Sequence, residues 1–159
     1  MGNNTCFIPG DVVMTNGKPI GTAENVAYRI ITCDPTKSMV LADGTTLNGK
    51  VELENVIGTQ TQNKGFPWHN CKGFLVGDCE AWYDDIVPIK LTPNILVFNG
   101  WSKDNNCYYK NFNNKLVYLT PVVDKWVIEL FSATAISVKY VHQLQHFLFG
   151  LDIECSIIV

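Results

Sequence analysis

At 159 residues the chain can bury one sizeable core or two small ones, and 47% hydrophobic against 17% charged residues calls for a folded protein rather than a disordered one. A net charge of −3 removes the general attraction to phosphate backbones on which most nucleic-acid binders rely. No apolar run approaches the roughly 20 residues that a membrane-spanning helix needs.

Met1 to Cys6 carries neither a basic start nor an apolar stretch, so a secretory leader is not expected. Gly2 opens an acylation-like pattern, but Cys6 stands where that pattern asks for Ser or Thr. The expectation is a cytoplasmic protein whose six cysteines stay reduced and behave as small buried hydrophobes.

The first half alternates short β-rich runs with turn chemistry. Pro9-Gly10-Asp11 turns the chain into a strand at Val12-Val13-Met14, and Asn16-Gly17 closes it. Val26 to Cys33 reads as a second strand broken by Asp34-Pro35, and Met39-Val40-Leu41 leads into a turn at Asp43-Gly44. A further strand follows Asn48-Gly49, through Val51, Leu53, Val56 and Ile57. Such spacing predicts an SH3-like small barrel, whose last strand Ile86 to Leu91 is placed at an edge or bulge by Pro88. Residues from about 58 to 85 form an irregular insertion, in which Gly73 to Gly77 can make a strand.

Thr92-Pro93 is a helix start, because Thr caps free amide groups and Pro suits the first helical position. The helix runs to Phe98 and Asn99-Gly100 stops it. Cys107–Phe112 and Lys115–Thr120 flank Asn113-Asn114 as a hairpin, and Lys125–Phe131 and Ala135–Lys139 continue it as a meander of about four strands. A last helix over Lys139 to Leu151 puts Tyr140, Val141, Leu144, Phe147, Leu148 and Leu151 on one face. His142, Gln145, His146 and Phe149 fall on the other, solvated face. Gly150 is placed to end the helix in a left-handed conformation, and Asp152 to Val159 reads as a terminal strand. The fold expected is α+β, mainly β: residues 1–91 as the SH3-like barrel, and 92–159 as a β-meander with a short and a C-terminal helix.

Three segments carry a family resemblance: Val87-Pro88-Ile89-Lys90-Leu91-Thr92-Pro93 with its short helix to Trp101, the strands after it, and Tyr140-Val141-His142-Gln143-Leu144-Gln145. Together with Ile8 to Val13 they resemble an uncharacterised family of Bacteroides genomes and their prophages and mobile elements. The insertion departs from that pattern. The resemblance implies an origin and a layout, and it transfers no catalytic residue.

The candidate sites are few. His142 and His146 stand four apart, a spacing that lets two imidazoles share a metal, but without the Glu of the zinc-protease pattern a solvated face is the plainer reading. His69, Cys71 and Cys79 offer a metal or thiol chemistry that lacks a fourth ligand or a positioned base. Asp78, Glu80, Asp84 and Asp85 read as a solvated acidic edge. Trp68, His69, Trp82 and Tyr83 in the insertion, with Phe149 on the last helix, are the binding residues expected, since aromatics of this kind dominate protein contacts. Lys and Arg look scattered, with no cluster. No phosphate-binding loop or nucleophile elbow occurs, so no cofactor is expected and the chain leans away from an enzyme. The leading expectation is an accessory protein that binds another protein, with self-association also open. A nucleic-acid-associated module ranks second, and a metal or thiol enzyme centred on His69 and Cys71 third.

Overall fold

A computed structural model of the chain describes residues 6–19, 22–56, 80–130 and 134–159. Two units are distinguished, Met1–Ile89 with Val159, and Lys90–Ile158. Among the described residues each is built on one antiparallel five-stranded sheet, and the fold is mainly β with two α-helices. Among the described residues no helix is long and apolar enough to cross a membrane.

The first sheet contains β1 (Val12–Thr15), β2 (Tyr28–Val40), β3 (Thr46–Asn55), β4 (Glu80–Trp82) and β5 (Ile86–Val87), in the order β4-β3-β2-β1-β5. The entry turn takes its shape from its residues. Gly10 has φ +98°, Asp11 N donates to Ile8 O at 3.2 Å, and the Asp11 carboxylate accepts from Ile8 N at 2.9 Å. Val13, Tyr28, Ile30, Val51 and Leu53 are at most 1% exposed and form the core of the sheet's inner face. The Tyr28 hydroxyl accepts a hydrogen bond from Ala23 N at 2.9 Å, which lets a polar tip be buried there.

Four sequence expectations change in this unit. β2 runs through Asp34-Pro35, because a register shift between Asp34 and Ser38 takes Pro35 out of the ladder, where its missing N–H costs nothing. Asn48-Gly49 lies inside β3 and makes no turn. Gly49 has φ +66°, and a Cβ there would sit 2.4 Å from the ring of Tyr83, so glycine serves both a left-handed backbone and a close approach. The end of the expected insertion is ordered, with Trp82 in β4 and Tyr83 opening a 3-10 turn, Tyr83–Asp85; the rest of it lies outside the described residues. Lastly, the sheet is open among the described residues: β4 and β5 are its two edges.

The second sheet is a simple meander, β6 (Ser102–Asp104), β7 (Cys107–Phe112), β8 (Lys115–Val122), β9 (Lys125–Leu130) and β10 (Thr134–Val138). It holds one strand more than expected. The polar Ser102-Lys103-Asp104 gives no strand signal, and pairing with β7 alone makes it one. Asn113 and Asn114 both adopt positive φ, the turn that matches the twist of a two-residue hairpin. Val117, Leu119 and Ile128 are fully buried, and Tyr118 between them is exposed, as a one-sided strand requires.

Both helices end in paired reverse hydrogen bonds. In α1 (Pro93–Phe98) the Thr92 hydroxyl accepts from Ile95 N at 3.3 Å, and at the other end Gly100, φ +76°, and Trp101 donate back to Val97 O and Leu96 O at 3.0 Å each. In α2 (Val141–Gly150) the left-handed residue is Asp152, φ +60°, where Gly150 was expected, and Ile153 N donates to Leu148 O at 3.0 Å. Gln143 caps its start: its Oε1 accepts from Lys139 N at 2.7 Å and from Tyr140 N at 3.1 Å. The expected terminal strand is absent. Instead Asn99 Nδ2 donates to Ile158 O at 2.6 Å and Asn99 Oδ1 accepts from Ile158 N at 2.8 Å, so one amide side chain stands in for a strand partner.

Candidate functional site

The expected aromatic site is only partly among the described residues: Trp68, His69, Cys71 and Cys79 lie outside them. Trp82 is half-buried on β4 opposite Lys50. Tyr83 is half-buried as well, packed on Gly49 and edge-on to Phe7 with ring centroids 5.6 Å apart. Its side chain also hydrogen-bonds Cys33. Burial pushes that thiol up to about 11, and Asp11 and Cys6 push the same way against the Tyr83 bond, so Cys33 stays protonated and a poor nucleophile at neutral pH. Cys6 is exposed, which departs from the expectation of buried thiols.

His142 is not on a solvated face. It is 1% exposed, between Tyr140, stacked at 5.8 Å, and His146, edge-on at 5.6 Å. Burial lowers it from 6.5 to about 4, with the neighbouring His146 a second cause, so it is neutral at physiological pH. The first turn of α2 is covered on both faces, and only its far end opens: Phe149 is 69% exposed. Among the described residues no three His, Cys, Asp or Glu side chains are gathered in a way that could hold a metal.

Two features emerge that the sequence hides. One is the outer half of the β2–β3 hairpin. Every residue from 35 to 46 is exposed, including Met39 (43%), Val40 (68%) and Leu41 (38%) at its tip. Among the described residues β1 pairs with β2 only at Tyr28 and Arg29, and β4 with β3 only from Lys50 to Glu52. Among the described residues the outer hairpin is therefore an arm with no strand on either edge, its tip shaped by Gly44, φ +86°, and by Asp43 accepting from Thr45 N at 2.9 Å.

The other is a cavity of about 430 Å³ in the second unit. Lys90, Lys103, Lys125 and Lys139 line it, which corrects the expectation that the basic residues form no cluster. Backbone pairing assembles it: Leu91 N donates to Lys139 O at 3.0 Å, Lys90 bridges Tyr140, and Lys103 and Lys125 arrive on β6 and β9. The floor is apolar, with Tyr108 and Trp126 only 6% exposed and edge-on at 5.5 Å, and Trp126 Nε1 donates to Leu91 O at 3.0 Å. Asp124, in the β8–β9 turn with φ +66°, faces Lys90 at 3.5 Å and Lys139 at 3.2 Å. The hydrogen bond from Lys139, then its charge and that of Lys90, hold the Asp124 carboxyl below its usual range.

Fold and site together define a mainly β protein of two antiparallel sheets, with a projecting hairpin on one and a lysine-lined cavity beside the other. No family model matches the chain, and no curated protein or solved structure matches it.

Proposed function

We propose that the chain is a non-enzymatic protein-binding module that contacts its partner through the β2–β3 arm. The observation that carries this is a long hairpin with an exposed apolar tip, whose outer edges have no strand partner among the described residues. Two strands alone are marginal in water, and unpaired edges are templates for another chain, so such an arm gains most by docking. The first unit is an SH3-like small barrel in this reading. Supporting it, β5 returns to β1, and the two edge strands are consecutive, joined by a three-residue 3-10 turn, so strong bending is all that closure needs. Asn16 ties that turn to β1, its side chain donating to Asp85 Oδ1 at 2.9 Å. The origin inferred is a Bacteroides phage or mobile element, with the protein acting as an accessory factor in the host cytoplasm; the Thr92-Pro93 helix start and the Tyr140 to Gln145 segment support it.

The test is affinity capture from infected or element-bearing cells with wild type and with Val40→Asp, Leu41→Asp. The substituted residues are exposed, so the far-ultraviolet spectrum and melting curve stay those of wild type, and the captured partner is lost. Equal capture by both proteins defeats the arm as the contact.

A further inference from the structure

We propose that the lysine-lined cavity of the second unit is a binding site for a small phosphate-bearing ligand of mononucleotide size. The proposal is independent of the arm and of any protein partner.

Charge is the first argument. The molecule carries a net −3, yet this one cavity collects four ammonium groups and a single carboxylate. Gathering like charges in a concavity is unfavourable in the empty protein, and a ligand with two or more negative charges relieves it. The convergence is visible in the structure. Lys90 and Lys139 both reach the carboxylate of Asp124, one ammonium to each oxygen, so the two amines already meet on one anionic group. Asp124 is a partial counterion: its one negative charge offsets one of the four ammonium groups and leaves three uncompensated.

The second argument is donor type. The cavity's cations are all lysines, with no arginine among its lining residues, and lysine is an established phosphate binder. Lysines act as point charges with three rotatable donors each, which suits the oxygens of a phosphate approached from several sides. The third is shape. A volume of about 430 Å³ falls in the usual range of small-ligand sites, and exposed lysines beside the buried Leu91, Tyr108 and Trp126 set charge next to an apolar surface for the uncharged body of the ligand. The walls are held by the Leu91–Lys139 backbone bond and the Trp126 indole bond, so little ordering is required on binding.

The experiment is calorimetric titration of the full chain at low ionic strength with ADP, inorganic phosphate, adenosine and a single-stranded oligothymidylate. ADP binds one per chain and inorganic phosphate competes with it. Adenosine, lacking the charge, binds at least about tenfold more weakly. The Trp126 indole N–H resonance moves with ADP, since that group sits in the cavity wall. Lys90→Gln with Lys139→Gln raises the Kd for ADP about tenfold or more, and Asp124→Asn, which removes the internal competitor, lowers it about threefold. The proposal is overturned if folded wild-type protein shows no saturable ADP binding, if the double lysine variant binds ADP as wild type does, or if the oligonucleotide binds more tightly than ADP.

Discussion

Gly49 and His142 both sit in constrained environments that the sequence does not announce. Asn48-Gly49 carries the usual mark of a hairpin turn, but the glycine is there for a ring: Tyr83 lies where a Cβ would be, and the backbone is left-handed. Gly49→Ala therefore meets both a steric clash and a φ penalty and should cost about 2–4 kcal/mol, read as a lowered urea midpoint with the m-value unchanged. A variant as stable as wild type would show that Tyr83 moves aside freely. His142 illustrates the converse difficulty. Helical periodicity assigns it to the face opposite Leu144, and periodicity cannot say whether a second face is covered as well. Because its folded value, about 4, lies below the ordinary 6.5, the unfolded chain takes up the proton first as pH falls. Stability is full above pH 6.5 and declines toward pH 4, by on the order of 3 kcal/mol in all. Urea unfolding near neutrality and near the lower limit checks this. In His142→Gln the drop between the two should shrink, and an unchanged drop would mean other groups cause it.

At the scale of elements, what was legible in the sequence is what local chemistry decides. Thr92-Pro93 begins α1, Asn113-Asn114 turns the β7–β8 hairpin, and alternation marks the inward side chains of β8 and β9. What was not legible depends on a partner elsewhere in the chain. β6 exists because β7 pairs with it, β2 survives Pro35 because a bulge absorbs the misfit, and the segment 152–159 stays out of a sheet because Asn99 supplies its pairing. Asn99 is the most connected of these. Besides its two bonds to Ile158, its side chain donates to Ile95 O at 2.7 Å and its carbonyl accepts from Lys110 Nζ at 2.6 Å. Asn99→Ala removes the side-chain bonds and leaves the carbonyl bond, at a cost of about 1–2 kcal/mol. The distinctive sign is local: amide exchange at Ile158 should accelerate while that of β8 and β9 holds. Uniform acceleration across both would mean global destabilisation and would refute a local staple.

For the whole molecule, the question is where its cations are. Lys90, Lys103, Lys125 and Lys139 are each more than ten residues apart in sequence, and so they look scattered; the meander and the Lys90–Tyr140 bridge bring them to one cavity, a result of topology that no local pattern carries. The consequence reaches beyond the site. With a third of the Lys and Arg gathered there, the rest of the surface is more acidic than the net −3 suggests, and it includes Asp34, Asp43, Asp84 and Glu80 on the first unit. A small anion needs only the cavity's own cations, whereas a duplex needs cations spread along its length. A polyanion gains by releasing counterions along an extended track of cations, and a cavity this size offers none. In a gel-shift titration at low ionic strength, duplex DNA should therefore stay unshifted at protein concentrations that saturate with ADP. A shifted band whose affinity falls with salt more steeply than a log–log slope of about −4 would require more phosphate contacts than these four lysines can make. It would show that a basic surface other than the cavity governs how the molecule meets nucleic acid.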